Sequence, residues 1–248
     1  MSAIYILWLR EMKRYVRSRS QILASLGQPL LYLLALGFGL GPVFQQAGRG
    51  SYLQFIAPGV ISMAILFSSV FSGIAILWDR QFGFLKETLV APVPRIEIMA
   101  GRTLGCATVA AIQGVLVLAV CLAAGFRPQH WTSLVVALAI MILIAIVFAA
   151  LGTALGSVVQ DMQGFQLLMN FLVLPIFFLS GALFPLDHLP KALAVITALD
   201  PLTYGIDALR HTLINAPHFG LAIDFAVLVA LGAVFLAAGA RLFSKIQI

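Results

Sequence analysis

Lysine, histidine and cysteine are the residues through which this chain could do chemistry, and their neighbours decide what chemistry is open to it. A phosphate-binding loop needs a glycine, then a lysine, then serine or threonine, so that backbone N–H groups cradle the phosphates while the ammonium neutralises them. Lys13, Lys86, Lys191 and Lys245 follow Met12, Leu85, Pro190 and Ser244. None follows glycine, so the chain binds no ATP or Mg through such a loop of its own. The histidines, His130, His188, His211 and His218, form no HExxH or Cys/His metal spacing. Asp207 stands one helical turn from His211 and Asp187 adjoins His188; local hydrogen bonds and interfacial solvation are preferred there over a metal or proton site. A Ser/His/Asp hydrolase would need a GxSxG elbow, and none is present. Cys106 and Cys121 lie in one apolar run, roughly 22 Å apart if helical at 1.5 Å per residue, too far for a disulfide with each other. The expectation is no catalytic residue and no metal.

What remains is mild polarity inside apolar runs. Ser62, Ser68, Ser69 and Ser72 fall in one run, and Gln163, Gln166 and Asn170 lie in or lead into another that also holds Pro175. Ion-coupled carriers place an Asp, Glu, His or Arg at membrane depth. Here only Asp224 comes close, near the end of a run. Each serine or amide alone is accounted for by helix-to-helix hydrogen bonding. As a set, Ser68, Ser69, Ser72, Gln166 and Asn170 are the best candidates for a path along which something crosses.

The elements that would hold these residues follow from composition. Of 248 residues 62% are hydrophobic and 10% charged, with a mean hydropathy of +1.06, which no soluble globular class matches. The sequence predicts an all-α integral membrane protein, a single domain over 1–248 with no room for a separate soluble one. Six apolar segments, at about 22–44, 55–78, 99–126, 131–159, 165–184 and 221–242, are each long enough to span. Only "RPQH" separates the third and fourth, so Pro128 is expected at the turn of an antiparallel hairpin. Of the fifteen Lys and Arg, eleven fall in the N-terminal segment (Arg10, Lys13, Arg14, Arg17, Arg19), the second loop (Arg80, Lys86, Arg95, and Arg102 counted with it) and the C-terminal tail (Arg241, Lys245), against four on the other side. By the positive-inside rule both termini are cytoplasmic. The net charge of +6 is thereby explained as topology, and a nucleic-acid partner is not expected.

Three non-spanning segments stand out. In residues 1–20, Ile4, Leu7, Trp8, Met12, Tyr15 and Val16 fall on one side of a helical wheel and Arg10, Lys13, Arg14 and Arg17 on the other. That is an amphipathic interfacial helix, either an anchor on anionic lipid or a lever beside a cytoplasmic partner. Its charges follow a short apolar stretch, the reverse of a cleavable signal peptide. Residues 79–98 contain "FLKETLVAPVPRIE", a charged and proline-stiffened stretch that topology makes the largest cytoplasmic loop. Residues 184–220 are cut by Pro185, Pro190, Pro201 and Pro217 into pieces too short to span, which reads as short helices at the outer surface.

This order of features resembles the permease subunits of ABC-2 type transporters. The resemblance runs through essentially the whole chain. It is most specific in "LKETLVAPVPR" and in "SGALFPLDHLP" with "LDPLTYGIDALR"; "LWLREMKRYVRSR" is supportive. It implies the membrane subunit of an exporter in the bacterial inner membrane, paired with a second copy or a related permease. It also implies a separate ATP-binding-cassette ATPase that brings ATP and Mg and docks from the cytoplasm. Carried over, 82–94 is a coupling helix and its exit, with Phe82, Phe84, Leu85, Lys86, Glu87, Leu89, Pro92, Pro94 and Arg95 as docking residues. Arg10, Lys13, Arg14 and Arg17 belong to the flanking connecting helix. Two other classes stay open at this point: an autonomous channel or ion-driven carrier, and an anchoring protein that moves nothing. Cargo is not readable beyond something amphipathic, a drug, a lipid or a glycan.

Overall fold

A computed structural model describes residues 2–39, 41–42, 51–84, 88, 90, 92–186 and 190–244, and every regular element among them is helical. The chain runs α1 (Ala3–Arg17), α2 (Arg19–Gly39), α3 (Tyr52–Phe71), α4 (Ile74–Gln81), α5 (Arg95–Ala123), α6 (Ser133–Val158), α7 (Met162–Leu179), α8 (Lys191–Leu199), α9 (Pro201–Ile214) and α10 (Leu221–Ser244). Five units are long and apolar enough to cross a bilayer: Tyr52–Gln81, which joins α3 and α4, then α5, α6, α7 and α10. The first expected span, 22–44, runs partly beyond the described residues. Its described part, α2, meets the length and apolarity of a span only when counted with α1 as a bent pair.

Helix α6 is the central post. It packs on α10, α5, α3 and α9, and Ile144, Val147 and Phe148 on it are fully buried. Helices α3 and α5 close the core from the other side, where Ile61, Ile65 and Leu66 are solvent-free. Helices α7 and α10 keep most of their surface outside this core, with Phe171 82% and Val234 58% exposed.

The interruption between α3 and α4 has a packing cause. A Cβ on Gly152 of α6 would lie 2.6 Å from the Val70 carbonyl oxygen, and a Cβ on Gly73 would strike the Gly152 carbonyl. Gly156 faces Gly73 in the same way. The small-xxx-small spacing of 152 and 156 lets two backbones touch at the break. Ser72 donates to the Ser69 carbonyl at 2.5 Å, satisfying a group that the broken helix frees.

Proline sets the ends of the short elements. Pro190 caps α8 and Pro201 opens α9, whose N-cap Asp200 accepts from Leu202 N–H at 2.9 Å. The two helices meet at 87°, and neither spans by itself. The α5–α6 turn is tight, with Gly125 at φ +103°, and Gln129 N–H ties it to the Leu213 carbonyl at the end of α9.

Candidate functional site

Helix α1 lies on protein. Its buried stripe is Glu11 and Tyr15, with Ile4, Leu7 and Trp8 against α5. Val16, expected on the apolar side, is 68% exposed. The contact is close because α5 offers glycine: a Cβ on Gly101 would sit 2.9 Å from the Ile4 carbonyl oxygen, and one on Gly105 would sit 2.8 Å from the Glu11 side chain. Trp8 Nε1 donates to Thr108 Oγ1 at 3.0 Å, and Tyr15 O–H donates to Gln113 Oε1 at 2.8 Å. Glu11 tolerates burial because Arg14 pairs with it at 2.6 Å.

One carboxylate joins three helices. Asp79 of α4 accepts from both terminal nitrogens of Arg10 on α1, at 3.1 and 2.7 Å, and from Arg102 on α5. The bidentate bond raises the pKa of the Arg10 guanidinium above its ordinary value. Asp79 is 5% and Arg102 2% exposed. Arg102 Nε and Nη1 have no hydrogen-bond partner among the described residues. The sequence reading counted Arg102 with a loop; it stands two turns inside α5, and Asp79 is a buried ionisable group inside the Tyr52–Gln81 unit. Sequence reasoning missed this cluster because its members are far apart in the chain. The available signal was an arginine set inside the Gly101–Gly105 spacing, which a lipid-facing helix would not carry.

Beyond α4 the chain turns at Gly83, φ +80°, and presents exposed rings. Phe82 is 66%, Phe84 51% and Val90 78% exposed, and Trp78, 53% exposed, lies 5.9 Å from the Phe82 ring. Thr88 Oγ1 donates to the Phe84 carbonyl at 2.9 Å, a helical register. Leu85, Lys86, Glu87 and Leu89 lie outside the described residues. Pro92 is exposed; Pro94, φ −56°, caps α5. Arg95 Nη1 donates to the Ser244 carbonyl at 2.6 Å, fastening α5 to the end of α10. Arg80 donates to the Val159 and Ser157 carbonyls at 2.9 and 3.1 Å, which closes the end of α6. Lys13 and Arg17 are exposed on α1.

Above this end, a cavity of about 620 Å³ opens between α1, α2, α3, α5 and α7. Ser68, Ser72 and Asn170 line it, together with Gln28, Phe67 and Gln113. Ser69 does not: it is buried and donates to the Ala145 carbonyl at 3.4 Å, on the side facing α6. Gln166 is exposed on α7 and also lies outside the lining. Gln113 and Tyr15 were not singled out as path residues. A lone glutamine in an apolar run was the sequence signal for the first, and nothing local distinguished the second.

The opposite end is built from side chains bonded to backbone. Asp207, 2% exposed, accepts from the N–H groups of His218 and Phe219 at 2.7 Å each. Arg210 donates to the Gly181 carbonyl at 2.8 Å and lies 4.0 Å from the centre of the Phe55 ring. Tyr52 O–H donates to the Leu183 carbonyl at 3.1 Å. These contacts hold residues 181–183 and 218–220 against α3 and α9.

Several known proteins are similar to this chain over most of its length. Nodulation protein J of Rhizobium leguminosarum bv. viciae is 30% identical over 211 residues, covering 84% of this chain and 81% of the relative. The putative transport permease ycf38 of Cyanophora paradoxa is 29% identical over 210 residues, 84% and 72% of the two chains. The inner membrane transport permease YadH of Escherichia coli is 28% identical over 229 residues, 92% and 89%. The family model described as ABC-2 type transporter matches residues 2–214, a stretch that holds α1 to α9, and with five long apolar units in the bundle the chain belongs to that family of membrane permeases.

Proposed function

We propose that the chain is the permease subunit of an ATP-driven exporter, with ATP and Mg bound by a separate ATP-binding-cassette ATPase. The observation that carries this reading is the crowding of unsatisfied apolar surface and wired charge at one end. Trp78, Phe82, Phe84 and Val90 are exposed on α4 and just beyond it, and Asp79 links α4 to α1 and α5. A partner seated on the rings could push on α4 and α1 together. Residues 79–98, with Leu85, Lys86, Glu87 and Leu89 at their centre, are the proposed seat, and Lys13, Arg14 and Arg17 flank it. By the charge count this end is cytoplasmic, as are both termini, in the inner membrane of a bacterium.

The cavity lined by Ser68, Ser72 and Asn170 is the proposed path for an amphipathic cargo. Its walls are incomplete on the α2 and α7 side, where Leu167 is 59% and Phe171 82% exposed beside the exposed amides of Gln166 and Asn170. Amides facing hydrocarbon are costly. A second copy, or a related permease, placed on this face would cover them and close the path.

The test is co-expression with a candidate cassette ATPase from the same genome. Tagged permease should capture the ATPase, and F82D/F84D should abolish capture without lowering permease yield. Flux of cargo from liposomes that contain the permease and no ATPase would overturn the reading.

A further inference from the structure

We propose that Gln113 reads the cargo: its amide nitrogen, held in place by Tyr15, donates to an uncharged oxygen acceptor on whatever occupies the cavity. This rests on the cavity being the transport path. Gln113 is 1% exposed, and its Oε1 already accepts from Tyr15 O–H at 2.8 Å. Its Nε2 has no hydrogen-bond partner among the described residues, although the residue forms part of the cavity wall. A buried amide donor left unpaired is costly, and a ligand oxygen removes that cost on binding. Tyr15 already orients the amide, so binding needs only the small local opening that lets a ligand oxygen reach Nε2.

The rest of the lining narrows the ligand class. Glu11 and Arg14 are the charged residues on the wall, and they neutralise each other at 2.6 Å. An anionic headgroup finds no uncommitted cation there and a cationic drug no uncommitted carboxylate. The hydroxyls of Ser25 and Ser72 donate to the Ile22 and Ser69 carbonyls, which leaves the Ser68 hydroxyl and the amide nitrogens to donate to a ligand. Phe67 and Phe71 stack at 6.0 Å and 10°, a flat apolar face on the same wall. Amide donors beside aromatic faces suit a neutral, oxygen-rich headgroup carrying hydroxyl or carbonyl groups. The volume, about 620 Å³, holds such a headgroup and not a long chain.

Tyr15 gives the arrangement a second meaning. It sits on α1, next to Arg14 and one turn from Glu11, within the helix that Arg10 ties to Asp79. A ligand that engages Gln113 therefore acts on a residue bonded directly to α1.

The test uses the full chain in lipid nanodiscs and three probes sharing one tail: dodecyl maltoside, dodecyl phosphate and dodecyltrimethylammonium, each below its solubilising concentration. Binding is read by native mass spectrometry. The maltoside should bind tightest. Gln113→Glu keeps the Tyr15 bond and the side-chain size but replaces the donor with an acceptor, so it should weaken maltoside binding about tenfold. Gln113→Leu should do the same. Tyr15→Phe, which frees the amide to turn, should weaken it about threefold. Ile112→Ala, on another face of α5, should match the wild type. Equal maltoside binding by Gln113→Glu and wild type, or tighter binding of either charged probe, would overturn the inference. Because no ATPase is present, the two readings fail separately. A nanodisc result that depends on Gln113 while the ATPase is never captured sinks the exporter and leaves the ligand site. Capture of the ATPase with binding indifferent to Gln113 sinks the ligand site alone.

Discussion

The two ends of the bundle are held together by different kinds of bond. At the α9 end, charged side chains bond to backbone: Asp207 to the amides of 218 and 219, Arg210 to the Gly181 carbonyl. At the α1 end Arg80 and Arg95 also reach carbonyls, but there charged side chains bond to each other across helices as well, with Asp79 shared by Arg10 and Arg102. A backbone group has nowhere to go, so breaking such a bond strands two buried partners. A shared carboxylate can lose one arginine and keep the other. The first kind of bond fixes a shape; the second permits a helix to shift without a charge being left alone. Arg102, with two nitrogens unpartnered among the described residues, holds the spare bonding capacity that such an exchange requires.

Removing the shared carboxylate is the strongest way to break this contrast. Asp79→Ala leaves Arg102 buried and unpaired, a loss of about 3–5 kcal/mol, seen as a large fall in the thermal midpoint of detergent-purified protein. A midpoint unchanged from wild type would mean that the cluster holds nothing together. Asp207→Asn should cost less, about 1.5–3 kcal/mol, since one neutral acceptor replaces two charge-assisted ones and the amide NH2 faces a backbone N–H. Hydrogen exchange should quicken at 218–220 while α1 stays protected; exchange that quickens equally at both ends would erase the difference between them. Gly101→Leu drives a side chain into Ile4 of α1 and should cost about 1–3 kcal/mol. Its mark is a red shift of Trp8 emission in a variant lacking the other tryptophans, as the ring leaves Thr108. The smallest effect on stability belongs to Phe82→Ala, within about 0.5 kcal/mol, because that ring touches little but Trp78. If its thermal midpoint fell as far as that of Asp79→Ala, the ring would be part of the core.

The sequence made the helices legible because apolar length is a local property. The runs at 99–126, 131–159, 165–184 and 221–242 correspond to α5, α6, α7 and α10, and Pro190 and Pro201 mark the short helices they were expected to mark. Partners were less legible. A helical wheel put Val16 on the apolar side and left Glu11 out, yet against the rest of the protein Val16 is 68% exposed and Glu11 4%. The wheel records which residues are apolar; it does not record that Gly105 makes room and that Arg14 supplies a countercharge. Arg102 was assigned to a loop because counting charges treats every arginine as solvated, whereas its countercharge stands 23 positions earlier at Asp79. The serines show the same limit. Ser68 and Ser69 are neighbours in the chain, and a turn of about 100° per residue sends one to the cavity and the other to α6.

The crossing at Gly73 has a mechanical consequence. Backbone rests on backbone there, against Gly152 and Gly156, so no side-chain rotation can absorb a tilt. It is a fulcrum within the Tyr52–Gln81 unit, with a short arm of about 12 Å along α4 and a long arm of about 30 Å along α3 at 1.5 Å per residue. A load applied near Gln81 works on the short arm, and any swing that the fulcrum allows is magnified at the far end, where Tyr52 is moored to Leu183.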